Sequence, residues 1–304
     1  MTPVRLRRRA AVAGAALCVP LVTAPAPTPA AAPSPVLTVI AHRGASSTAP
    51  ENTLVAGEVA RRAGVEWIEN DVRPSRDGVP YVLHDATVDR TTDGTGPVRA
   101  LTSARLDALD AGSWFAPAFA GARVPTLAAQ LTDLRERGGR LLLEVKGPHT
   151  EAEVARIVRD VRERGMADRV VVQSFDVVSL EHARKLAPEL PRALLRDLLD
   201  ADPVAVSREL GLTGYHVSDQ GLSARPGAVA ELHAAGVAVN VWTVNDPARW
   251  RVLAGLGVDG VITDRPAELV GWNAWAHSRT FRSWTGLSTN ASRPVMRRRA
   301  PGRG

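Results

Sequence analysis

Cysteine, lysine and long apolar runs are scarce in this chain of 304 residues. The single cysteine, Cys18, cannot close an internal disulfide, so a disulfide-framed miniprotein is excluded. Past the first forty residues there is no apolar run of the roughly 18 residues that a membrane-spanning helix needs. Lysine occurs only as Lys146 and Lys185 among 38 basic residues, which makes a well-placed lysine conspicuous. What is present is an ordinary globular mixture: 45% hydrophobic, 23% charged. It leaves no room for a disordered or collagen-like chain.

The net charge of +6 hints at a nucleic-acid partner, but its distribution argues against one. Residues 1–33 and 271–304 carry eleven arginines and no acid, leaving 27 basic against 32 acidic residues between them. The body is therefore acidic, and no nucleic-acid partner is expected. Arg5 to Arg9 followed by apolar Ala10–Val22 and a Pro/Ala-rich stretch reads as an export signal with a linker over 1–33. The arginine run is compatible with a twin-arginine signal. A secreted or cell-surface protein, acting as a monomer without a stable membrane span, is the expectation. Residues 276–304 read as a basic, disordered tail, the alternative being a polyanion or cell-surface contact helped by Trp272, Trp275, Phe281 and Trp284.

Between the ends, eight apolar or β-branched runs alternate with helix-like sequence. They begin at residues 37, 66, 140, 170, 192, 214, 237 and 259, and the last five intervals are 30, 22, 22, 23 and 22 residues. Near-continuous apolar strands with amphipathic connections predict an α/β fold, a (β/α)8 TIM barrel over 36–275. A doubly wound open sheet is the competing fold, but no Gly-rich fingerprint follows the first strand. Strands two and three start 74 residues apart, so an insertion is predicted at about 78–126. It holds an Asp77-Gly78 hairpin, a short helix over 103–110 and the aromatics Trp114, Phe115 and Phe119, which are expected to cover the site.

In such a barrel the chemistry lies at the C-terminal strand ends. Glu69 and Asp71, two apart on a strand, face one side, and Glu144 ends the next strand. Three converging carboxylates without cysteine predict one hard divalent cation, Ca2+ or Mg2+. His42 and His84 end neighbouring segments and suit a general acid–base pair; Arg43 suits a phosphate, and Asp85 suits the orientation of His84. His216 reads as a barrel-mouth residue of no assigned use, and His149, His182, His233 and His277 as loop or helix-surface residues.

These motifs together resemble the glycerophosphodiester phosphodiesterase family: His42-Arg43-Gly44, Pro50-Glu51-Asn52-Thr53, Glu69-Asn70-Asp71, Asp77-Gly78 with His84-Asp85, Glu144-Val145-Lys146, and Asp259 to Asp264, in the family's order over about residues 37–270. The resemblance implies metal-dependent hydrolysis of a small glycerophosphodiester to glycerol 3-phosphate and an alcohol. It implies Glu69, Asp71 and Glu144 as metal ligands, His42 and His84 as acid and base, and Arg43 and Lys146 as phosphate contacts. It further implies supporting roles for Glu51 and Asn52, and Phe175 and Trp242 as apolar walls. The export leader suits the family's secreted bacterial branch. The alternative is a phospholipase D-like or phosphatidylinositol phospholipase C-like enzyme acting on intact lipids. A binding protein that has kept the barrel would lack a histidine or a carboxylate, and none is missing.

Overall fold

The computed structural model describes residues 36–285, with side chains described as far as residue 276. The expected leader, Cys18 and the end of the chain from residue 286 lie outside the described residues.

Each apolar run becomes a strand. In chain order these are β1 Thr38–His42, β2 Trp67–Pro74, β3 Pro80–Val82, β4 Arg140–Val145, β5 Val170–Ser174, β6 Arg192–Arg196, β7 Gly214–Ser218, β8 Ala238–Trp242 and β9 Gly260–Thr263. All but β3 pair in parallel, in the order β1-β9-β8-β7-β6-β5-β4-β2, and β1 pairs again with β2 to close an eight-stranded barrel. Strand β4 shows why such runs read as continuous: covered by helices outside and side chains inside, Leu141 to Val145 are all buried.

The outer layer is α1 Leu54–Arg62, α3 Leu127–Arg137, α4 Glu151–Glu163, α5 Val177–Leu186, α6 Pro203–Leu210, α7 Asp219–Ala224, α8 Ala228–Ala234, α9 Pro247–Leu256 and α10 Pro266–Thr285; α2, Ser103–Asp107, belongs to the segment between β2 and β4. Their starts are written in the sequence. Thr53, Thr126, Asp176, Asp202 and Asp246 accept hydrogen bonds from first-turn amides, and Thr150 with Glu153 forms a reciprocal capping box. The apolar face of α4, Val154, Ile157, Val158 and Val161, is buried against the sheet as its spacing requires. Helix α10 continues past residue 276, where the tail was expected to begin. No helix among the described residues is long and apolar enough to cross a membrane.

The segment between β2 and β4 is built on its own small core of Tyr81, Leu83, Val88, Val98, Leu106 and Leu109. Asp77 ties its base together by accepting from Ser75 and from both the amide and hydroxyl of Ser103. The helix expected over 103–110 ends at Asp107. Strand β3 pairs antiparallel with β2, Val82 opposite Val72, and so delivers His84 to the barrel mouth.

Candidate active site

The mouth begins where β1 stops. After His42 the backbone turns through two left-handed residues, Arg43 (φ 55°) and Gly44 (φ 82°), and the Arg43 amide donates to Glu69 Oε2 at 3.0 Å. A Cβ at residue 44 would lie 2.6 Å from Ala56 Cβ and 2.7 Å from its backbone carbon, so only glycine lets α1 approach this turn. Gly44→Ala is expected to cost about 2–3 kcal/mol, from positive φ and backbone overlap together, measured by urea unfolding.

Asn52 is the second strained residue (φ 58°), a conformation that asparagine tolerates better than most. Its side chain spends every polar atom on β2. Oδ1 accepts from Asn70 Nδ2 at 2.9 Å and from the Asp71 amide at 3.3 Å, while Nδ2 donates to Asp71 Oδ2 at 2.9 Å. Thr53 then caps α1, which explains the Pro-Glu-Asn-Thr string as a helix entry bolted to an acidic strand.

Barrel register brings the acids together. His42 lies opposite Glu69, and Asp71 opposite Glu144. One oxygen from each of Glu69, Asp71 and Glu144 lies within 4.8 Å of the others, and all three residues are buried. At that spacing each ionised pair repels by about 3–4 kcal/mol at an effective dielectric near 20. Burial, then mutual repulsion, pushes Glu69 well above the usual carboxylate range and Glu144 up to about 8. Burial also works against Asp71, but Lys146 and Arg43 outweigh it and hold its carboxyl at about 2. Lys146 Nζ is 2.8 Å from Glu144 Oε1 and 3.4 Å from Asp71 Oδ1; Arg43 Nε is 3.4 Å from Asp71 Oδ2. Asp71 Oδ1 is buried yet accepts no hydrogen bond. An all-oxygen donor set with a spare buried acceptor and excess negative charge fits a hard divalent cation.

Two histidines line the same cavity, each tied by Nδ1 to a carboxylate. His42 Nδ1 meets Asp264 Oδ1 at 2.7 Å, and Asp264 is held in turn by Ser46 (3.0 Å) and Asn245 (2.7 Å). Burial raises the Asp264 carboxyl, but the hydrogen bond and charge of His42 outweigh it, giving about 2. His84 Nδ1 meets Asp85 Oδ1 at 2.7 Å. Arg90 grips Asp85 (2.7 Å) and both oxygens of Glu51 (2.8 Å each), and Glu51 accepts from Arg43 at 2.8 Å. Burial lowers the pKa of His84 below that of a free imidazole, with Arg43 and Lys146 adding to it and Asp71 opposing it. An ionised carboxylate can only accept, so Nδ1 carries the proton in the neutral rings. Nε2 of each is left for the cavity that both histidines line.

That cavity has a volume of about 230 Å3. His42, Arg43, Glu69, His84, Glu144, Lys146, Phe175 and Trp242 line it, joined by Gln173 and Leu195; Asp71, Glu51, Asn52 and Asp85 stand behind them. Phe175 and Trp242 meet edge to face at 5.5 Å, and Lys146 Nζ lies 6.0 Å from the Phe175 ring centre. The structure thus brings together at one cavity the histidines, carboxylates, cationic side chains and apolar walls singled out from the sequence.

Some expectations are corrected. Trp114, Phe115 and Phe119 do not line the cavity; they stack on one another edge to face at 5.6 and 5.5 Å, with Trp114 Nε1 bonded to the Ala111 carbonyl. His84, with Asp85 and Arg90 behind it, carries the insertion's contribution rather than these aromatics. His216 is not at the mouth: it is buried inside the barrel, because its strand is entered at Gly214 and residue 216 is central to it. His149 is buried too, bonded through its amide to Ser179. Sequence reasoning gave no role to Asp264, Arg90 or Arg73, whose Nε donates to the His84 carbonyl at 2.7 Å. Asp264 sits at a strand end, a signal that was available. Arg90 lies in irregular backbone among many arginines, where no signal existed.

A closed parallel barrel with this mouth defines a TIM-barrel phosphoric diester hydrolase. Residues 42–268 match the Glycerophosphoryl diester phosphodiesterase family. A glycerophosphodiester phosphodiesterase of Caldanaerobacter subterraneus subsp. tengcongensis is 34% identical over 237 residues, covering 76% of this chain and 96% of that protein. Among solved structures, a glycerophosphodiester phosphodiesterase from Agrobacterium tumefaciens (36% identity, TM-score 0.70) covers 77% of this chain and 99% of its own. A phosphodiesterase from Oleispira antarctica in complex with the product sn-glycerol-3-phosphate (32% identity, TM-score 0.74) covers 78% and 96%. The chain belongs to the glycerophosphoryl diester phosphodiesterase family.

Proposed function

We propose that this chain hydrolyses small glycerophosphodiesters to glycerol 3-phosphate and an alcohol, with His42 and His84 as the acid–base pair. One divalent cation, Ca2+ or Mg2+, is held by Glu69, Asp71 and Glu144. The observation that carries the reading is the pairing of two carboxylate-tied histidines with a buried acidic triad around one cavity. The product named in the Oleispira antarctica complex supports the choice of substrate.

A phosphodiester resists attack because its anionic oxygens repel nucleophiles and its leaving alkoxide is a strong base. When bound, the cation neutralises phosphoryl oxygen charge. Arg43 and Lys146 line the same cavity and stabilise the oxygens from the protein side. One histidine takes a proton at Nε2 from the attacking water, or from a substrate hydroxyl whose cyclic phosphate water then opens, and the other gives one to the departing alkoxide. Asp264 and Asp85 fix the tautomers and steady the imidazolium that forms. Phe175 and Trp242 offer an apolar wall to the carbon skeleton.

The test is glycerol 3-phosphate release from glycerophosphocholine by the protein lacking residues 1–33, with Ca2+, Mg2+ or chelator. Choline freed from intact phosphatidylcholine instead would move the assignment to a phospholipase. Arg90→Ala is expected to lower kcat about tenfold, because Arg90 alone bridges Asp85 to Glu51. Steady-state kinetics check it, with circular dichroism confirming an intact fold. Export by the leader belongs to the same proposal and is tested by locating the protein in culture supernatant and cell fractions.

A further inference from the structure

Three polar side chains cross the barrel interior below the acidic triad, and the mechanism above uses none of them. Gln173 on β5 and His216 on β7 are buried, and Asn240 on β8 is half-buried. Asn240 Nδ2 lies 3.0 Å from His216 Nε2, His216 Nδ1 lies 2.7 Å from Gln173 Oε1, and Gln173 Nε2 lies 3.4 Å from Glu69 Oε1.

An imidazole between two amides can be read in either direction, since each amide can turn end for end. Glu69 decides which. As a ligand to a bound cation Glu69 is a carboxylate and accepts only, so Gln173 must then present its NH2 to Glu69 and its carbonyl to His216. The carbonyl requires a proton on Nδ1, which leaves a lone pair on Nε2, and the NH2 of Asn240 satisfies it. Every donor then points toward Glu69. The ring must also be neutral, and burial does hold the His216 pKa down, at about 3.

Strand glycines make room for this row. A Cβ at residue 214 would fall 2.9 Å from His216 Nε2, and one at residue 260 would fall 2.6 Å from Asn240 Oδ1. Beside the row lie the buried apolar side chains Ile40, Leu142 and Ile262, and His216 and Asn240 border a second cavity of about 260 Å3.

We propose that Asn240, His216 and Gln173 form a one-directional hydrogen-bond chain that aims Glu69 at the cation, so that His216 and Asn240 are positioning residues for an ion neither touches. This rests on the reading of Glu69 as a ligand. It assigns His216, lying deep in the barrel, to cation affinity.

Isothermal titration of metal-free protein with Mg2+ and Ca2+ tests it. His216→Leu is expected to raise Kd at least about tenfold, the usual effect of losing an outer partner of a ligand. His216→Asn is expected to stay within about threefold, its NH2 standing in for Nδ1–H. Asn240→Leu removes the donor to Nε2, frees the ring to take the tautomer that turns the chain round, and is expected to weaken binding about tenfold. In a Gln173→Ala background His216→Leu is expected to add nothing, because its only route to Glu69 is gone. In the parent protein loaded with Mg2+, nitrogen-15 NMR is expected to show His216 protonated at Nδ1 alone.

Parental affinity in folded His216→Leu, an undiminished effect in the Gln173→Ala background, or a proton on Nε2 would each overturn the chain. If His216→Leu does not fold, Asn240→Leu carries the test, and parental affinity there overturns it equally. A parent protein that binds neither ion overturns the ligand reading itself, a result distinct from any of these.

Discussion

His42→Ala and His84→Ala are each expected to lower kcat on glycerophosphocholine by about 10²–10⁴-fold, the range for losing a positioned proton donor or acceptor. Neither ring is deep in the core, their side chains being 19% and 30% exposed, so unfolding midpoints should move little. The double variant is expected to be scarcely worse than either single one, because a base without its acid completes no turnover. Asp264→Asn sharpens the test: it keeps the shape of the site but frees the His42 ring to take the wrong tautomer. Its kcat should fall with KM nearly unchanged. Normal turnover in either alanine variant would remove the pair from the mechanism.

Stripping the cation should be as severe. Chelation is expected to abolish glycerol 3-phosphate release, and added Mg2+ or Ca2+ to restore it. Glu144→Gln should raise the ion concentration needed by at least about tenfold, since it deletes one charged oxygen ligand from three. The pH dependence has a definite sign. In the metal-free protein Glu144 holds its proton up to about 8, and the ion must displace it. Glu69 is raised as well, so affinity should rise by at least about tenfold per pH unit up to about 8. The same group makes the metal-free fold less stable as pH climbs from the ordinary carboxylate range through 8, because the native state binds more protons than the unfolded chain. Titration calorimetry in buffers of different ionisation enthalpy reads the released proton directly; no release would contradict the buried triad.

The barrel was legible because its two periodicities are local: buried parallel strands read as unbroken apolar runs, and caps such as Thr150 with Glu153 lie a few residues apart. The acids and histidines were legible because strand ends are where such a fold keeps its chemistry. What could not be read was pairing across closure. Asp264 was visible as a strand end, but its bond to His42 joins residues 222 apart and exists only because β9 lies beside β1. Arg90 was hidden for another reason: one arginine among many in irregular backbone carries no period. His216 was misplaced because strand boundaries set depth, and a residue two positions along β7 sits inside the barrel, not on its rim.

The bond between His42 and Asp264 also has a consequence for the order of synthesis. The triad, both histidines, Arg43 and Lys146 are all present by residue 146, in the first half of the chain. A nascent or clipped chain ending before β9 therefore holds nearly the full set of reactive groups, yet leaves His42 without its carboxylate and β1 without one of its two neighbouring strands. If His42 acts as proposed, turnover is expected only from chains in which β9 has closed beside β1 and brought Asp264 to the ring.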